Sequence, residues 1–110
     1  MQRDPATLRE DILRAIEEIE SFCHGKAFGD FRKDRALQLI VERELEIIGE
    51  ALGRLRREHP KTASRIRDIH KIIGLRNVLA HGYDVLENEI LWDIVTNKLA
   101  QLRHDVEISG

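Results

Sequence analysis

Apolar residues in this chain recur every three or four positions in four separate stripes, and nowhere do they alternate as a half-buried strand requires. The first stripe holds Leu8, Ile12, Ile16, Ile19 and Phe22/Cys23, and the second Leu37, Ile40/Val41, Leu45, Ile48, Leu52 and Leu55. Ile66, Ile69, Ile72/Ile73 and Val78/Leu79 form the third, and Ile90/Leu91, Ile94/Val95, Leu99, Leu102 and Val106 the fourth. A chain patterned in this way hides its stripes by packing helices together, so the expected fold class is all-α, an antiparallel bundle of four to five helices. At 110 residues there is room for one core, and 1–110 is read as a single domain. A composition of 42% apolar and 35% charged residues, with 7 Gly and 2 Pro, excludes disordered, collagen-like and many-stranded chains.

Local signals set the expected boundaries. Asp4-Pro5 is a helix start, with Asp as N-cap and Pro at the first helical position, and Gly25 ends that helix. A loop is expected from Gly25 to Phe31. A second helix then runs from near Asp34 to His59-Pro60, roughly 35 Å at about 1.5 Å per residue. The third helix ends at Gly82, and the fourth nearly reaches the last residue. Ile47, Leu75 and Leu91 lie beside the main seams, and a small bundle with such a wide apolar face is expected to bury the remainder against a second copy, as a homodimer.

No apolar run approaches the roughly 20 residues that span a bilayer, and Met1-Gln2-Arg3-Asp4-Pro5 lacks the apolar stretch of a signal peptide. A soluble, cytoplasmic protein with no membrane partner is expected. The single cysteine, Cys23, makes no internal disulfide and by itself no thiolate metal site, which fits a reducing compartment.

Bulk charge, 18 basic against 20 acidic residues, gives no case for a nonspecific nucleic-acid binder. The distribution is more informative. Between Arg54 and Arg76 stand eight basic residues (Arg54, Arg56, Arg57, Lys61, Arg65, Arg67, Lys71, Arg76) and two acidic ones (Glu58, Asp68), a local net of +6 that leaves −8 for the rest of the chain. Such asymmetry is expected of a surface that meets phosphates, although a solvated helix end with its connecting loop produces the same pattern. Arg54, Arg56, Arg57, Lys61, Arg65 and Lys71 are the RNA-binding candidates.

The densest polar cluster in an apolar setting is Arg76-Asn77-Val78-Leu79-Ala80-His81-Gly82-Tyr83, at the end of the third stripe. Asn77 and His81, four apart, share a helical face; Arg76 and His81, five apart, stand about 140° from each other, so Arg76 must reach around the helix. Structural roles account for the same residues: Arg and His complement the negative end of a helix dipole, Gly is a common cap, and Tyr packs back on the helix. In a chemical role, histidine accepts a proton and arginine faces a developing negative charge, without any metal. That pairing suits cleavage of RNA by its own 2′-hydroxyl.

The segment resembles the Arg, four residues, His, one residue, Tyr motif of the HepT-like toxins of the HEPN superfamily. The likeness extends along essentially the whole chain: Arg3-Asp4, Phe31 with Asp34, Leu45-Glu46-Ile47-Ile48-Gly49-Glu50-Ala51 and Leu91-Trp92-Asp93-Ile94 all follow the family's pattern. The resemblance implies an all-α homodimer whose two motif helices line a shared cleft, acting as a metal-independent ribonuclease with no cofactor. Arg76 and His81 match the catalytic pair. Asn77 matches the polar residue that orients the pair or contacts a phosphate, and Glu50 an acidic residue of the second helix that faces the motif. Tyr83 matches the tyrosine that carries AMP in characterised members. The modifying partner there is the cognate antitoxin, a minimal nucleotidyltransferase of the MntA type, in a type VII toxin–antitoxin system. One stretch departs from the pattern: relatives are expected to have Pro and Trp just ahead of the motif helix, where this chain reads Ser64-Arg65-Ile66-Arg67-Asp68-Ile69.

Other candidates are weaker. Cys23-His24 has no third metal ligand nearby on the first helix, and His59, His70 and His104 read as surface residues. Glu17, Glu18 and Glu20 read as a solvated face. A reading of a different class makes the chain a non-catalytic subunit that presents itself or a substrate to a nucleotidyltransferase; cleavage of RNA by the isolated protein separates the two.

Overall fold

The computed structural model describes residues 4–81 and 88–110, with the backbone alone for 76–81. Helix α1 (Pro5–Cys23) starts where Asp4 and Pro5 predict, with Asp4 Oδ1 accepting the Ala6 N–H at 2.8 Å. It ends before Gly25, whose φ of 74° is the left-handed value that glycine adopts without strain. The expected loop is partly helical instead. Helix α2 (Phe28–Lys33) is stabilised at its start by Asp30 Oδ2, which accepts the Ala27 N–H at 2.9 Å. Its Phe31 is fully buried, with its ring 5.1 Å from that of Trp92 at 33°. The buried Gln38 amide donates to the Phe31 and Arg32 carbonyls at 3.0 and 3.1 Å, supplying partners that the end of so short a helix lacks.

Helix α3 (Arg35–Glu58) opens with Asp34 Oδ1 accepting the Leu37 N–H at 3.0 Å and stops ahead of Pro60. Its 24 residues, about 36 Å at the α-helical rise, traverse nearly the whole 40 Å length of the molecule. It packs on α1 along one side and on α5 along the other. A short helix, α4 (Pro60–Ala63), and a turn lead to α5 (Ile69–His81). Ile66 of the third stripe is buried in that turn, outside any helix. Arg67 anchors the turn: its backbone N–H donates to Asp105 Oδ2 at 3.0 Å and its Nη2 to Asp105 Oδ1 at 2.9 Å.

The fourth stripe forms helix α6 (Asn88–Asp93), a π-helical turn over Ile94–Lys98, and α7 (Leu99–Ile108), rather than one regular helix. Leu99 N–H reaches back five residues to the Ile94 carbonyl, and the Thr96 hydroxyl donates to the Trp92 carbonyl at 2.8 Å, where it competes with the regular ladder. Helices α1 and α7 are antiparallel. Arg9 near the start of α1 donates to the Val106 and Glu107 carbonyls at 3.0 and 3.1 Å, while Cys23 at its end shares a small cavity with Trp92 and Val95.

One cluster of buried side chains, with Ile12, Ile16, Ile48, Leu52 and Leu99 among its members, joins α1, α3 and α7. Leu91, expected beside the main seams, is fully buried within this chain, whereas Ile47 and Leu75 are half-buried. Among the described residues the secondary structure is helical throughout, and no helix is long and apolar enough to cross a membrane.

Candidate functional site

Helix α5 carries the first residues of the predicted motif. Its backbone is continuous from Ile69 to His81, so Arg76 and Asn77 stand side by side in one turn of a helix packed on α3 and His81 follows a little over one turn later. Their side chains lie outside the described residues, as do Gly82 and Tyr83. Glu50, expected to face the motif, is exposed on α3 between the buried Gly49 and Ala51.

The basic stretch divides into side chains with structural partners and side chains left to solvent. Arg54 Nε bonds Glu58 Oε2 at 3.2 Å on the same helix, and Arg65 Nη1 donates to the Ser109 carbonyl at 3.1 Å, capping the end of α7. Arg67 is committed to Asp105, only 2% exposed, and the guanidinium's hydrogen bonds hold that carboxyl below its ordinary range. Lys71 forms a loose 3.8 Å pair with Asp68. Arg56 and Arg57 in the last turn of α3, and Lys61 on α4, are exposed cations close together along the chain. Position at a helix C-terminus favours them electrostatically, which is sufficient reason for their charge even without a ligand.

A second feature adjoins α5 and was not legible in the sequence. A cavity of about 300 Å³ opens between α5, the π turn and α7, floored by Leu45, Ile72, Leu75 and Ile94, with Lys71, Lys98 and Gln101 on its wall. Lys98 ends the π turn and Gln101 lies in α7, and both meet Lys71 only through the tertiary fold. The approach that departs from the expected Pro and Trp also contributes here, since Arg67 and Asp68 stand at the cavity's edge.

The reading of two acidic side chains changes. Glu18 and Glu20 are not merely solvated: the Glu18 carboxyl is hydrogen-bonded to Glu44 of α3, and Glu20 pairs with Arg103 of α7. Cys23 is buried, which pushes its thiol up, and no group of three or more metal-ligating side chains occurs among the described residues.

Comparison with known proteins matches residues 12–108 to the family described as ribonuclease HepT-like. A probable ribonuclease HepT of Thermococcus cleftensis is 34% identical, over 97% of this chain and 96% of its own length. Candidate RNases of Methanocaldococcus jannaschii and Caldanaerobacter subterraneus are 32% and 31% identical, each over 96% of this chain and over 87% and 93% of their own lengths. No solved structure matches the chain.

Proposed function

Because the chain belongs to the ribonuclease HepT-like family, we propose that it is a metal-independent endoribonuclease that acts through Arg76 and His81. One observation carries the reading: the Arg76 to His81 spacing stands on one continuous helix, within the family-matched region. His81 takes the proton of a ribose 2′-hydroxyl, and the 2′-oxygen attacks the adjacent phosphorus. Arg76 stabilises the charge that develops on the phosphorus oxygens. The bond to the 5′-oxygen breaks and that oxygen takes up a proton, leaving a 2′,3′-cyclic phosphate and a 5′-hydroxyl. Asn77 orients the pair or holds a phosphate, and Glu50 supports it from α3.

The same reading makes the protein a toxin of a type VII system, active as a homodimer whose two α5 helices line one cleft. A minimal nucleotidyltransferase silences it by joining AMP from ATP to the Tyr83 hydroxyl, with pyrophosphate leaving. A bulky anion two residues from His81 occupies the phosphate subsite and repels the RNA backbone. Arg76→Ala and His81→Ala are each expected to abolish RNA cleavage and growth inhibition while preserving the helical circular dichroism spectrum; full activity in either would sink the assignment.

A further inference from the structure

We propose that the groove between α5 and the π turn is a nucleoside subsite, seating one base of an RNA strand on Ile72, Leu75 and Ile94 and its phosphate on Lys71 and Lys98. This placement rests on the ribonuclease reading of α5.

Three features of the groove point to this occupant. The first is its size, about 300 Å³, which sits at the lower end of small-molecule sites and suits a flat ligand of nucleoside dimensions better than a packed helix. The second is charge. Among the described residues, Arg67, Lys71 and Lys98 line the groove against a single carboxylate, Asp68. Asp105 already neutralises Arg67, but Lys98 has no ion-pair partner among the described residues and Lys71 only the 3.8 Å contact, so an arriving phosphate displaces little. The third is Gln101. Its half-buried amide, one donor and one acceptor group in a largely aliphatic wall, has no hydrogen-bond partner among the described residues. A base edge presents donors and acceptors side by side and satisfies it, which an acyl chain does not.

The π turn explains how these groups face one ligand. Ile94 begins the turn and Lys98 ends it, and the i→i+5 bond from Leu99 to Ile94 widens the helix beside α5. Such single-turn π segments are frequent at functional sites. Leu75 is the helical position immediately before Arg76, and His81 follows about 9 Å further along the axis at 1.5 Å per residue. At about 3.4 Å per stacked nucleotide, a base in the groove belongs to a nucleotide two or three steps from the scissile phosphate. The groove therefore selects sequence beside the cut and takes no part in the bond making.

The test uses the whole protein and each of the four ribonucleoside 3′-monophosphates, titrated while backbone amide resonances are followed. Saturable shifts are expected at Ile72, Leu75, Ile94, Lys98 and Gln101, strongest for one base. In a set of short RNAs varied at each position around the cut, one position is expected to show about a ten-fold base preference that Gln101→Leu flattens. Lys98→Ala is expected to weaken every RNA alike and lower the salt slope by about one. Cleavage through Arg76 and His81 with no groove shifts, or with a preference untouched by Gln101→Leu, would overturn the subsite alone. Nucleotide shifts in a protein that cuts no RNA would keep the subsite and overturn the nuclease reading. Groove amides that shift only with protein concentration would make the groove a contact between copies and overturn the proposal.

Discussion

Arg67, in the turn ahead of α5, grips Asp105 of α7 with both its backbone and its guanidinium: Nε and Nη2 lie 3.2 and 2.9 Å from Oδ1, and the N–H lies 3.0 Å from Oδ2. The pair ties the entrance of the motif helix to the last helix of the chain. Asp105→Asn is expected to cost about 1–3 kcal/mol, since a buried acceptor of charge-assisted bonds is lost. The sign with pH follows from the lowered carboxyl. Asp105 contributes stability above its ordinary value of 3.8 and loses it as pH falls through its folded value, so acid unfolding of Asp105→Asn is expected to be shallower below about pH 4 in denaturant titrations.

Glu44 predicts the opposite slope in a different window. Burial chiefly, and then the hydrogen bond and charge of Glu18, push its carboxyl from 4.5 up to about 7, and its Oε2 is buried with no hydrogen-bond partner among the described residues. The folded chain thus keeps a proton that the unfolded chain releases, and this site's contribution falls as pH rises from about 4.5 to 7. Glu44→Gln is expected to stabilise the protein by about 1–2 kcal/mol at pH 8, a value reduced for partial solvation, and by almost nothing at pH 4. Equal stabilities at pH 8 would count against the carboxyl pair.

The basic stretch should separate by phenotype. Arg56→Ala, Arg57→Ala and Lys61→Ala remove exposed cations, so each is expected to leave the melting temperature within about 2 °C and lower the salt slope of RNA binding by about one. Arg65→Ala removes the cap on the Ser109 carbonyl and is expected to cost about 1 kcal/mol. Filter binding across a salt series, beside thermal melts, reads both effects.

Asp68 holds φ at 56°, the left-handed region that aspartate tolerates and β-branched residues do not. Asp68→Val is expected to destabilise by about 1–2 kcal/mol, and Asp68→Gly to leave stability within about 1 kcal/mol of the natural chain, by chemical denaturation.

Local chemistry made the long elements legible. Asp4-Pro5, Gly25, Asp34 and His59-Pro60 each act within a few residues, and the observed ends of α1 and α3 fall at them. Helix α2 escaped because six residues are too few to show a period; its existence depends on Phe31 reaching Trp92 and on Gln38 meeting its carbonyls. The π turn escaped because Thr96 and Asn97 bond within their own helix, a competition that apolar spacing does not register. Glu18 looked solvated from its own helix, and only the packing of α3 brings Glu44 against it. Of the site, the positions on α5 were readable as a motif, whereas Lys98 and Gln101 are polar residues in an apolar stripe until the fold sets them beside Lys71.

The most direct measurement of the central claim is the identity of the ends made from end-labelled RNA in EDTA, with His81→Ala alongside. Fragments ending in a 2′,3′-cyclic phosphate and a 5′-hydroxyl, produced by the natural chain and absent with His81→Ala, are the predicted result. Cleavage that continues in His81→Ala, or no cleavage by protein whose intact mass shows an unmodified Tyr83, would contradict it.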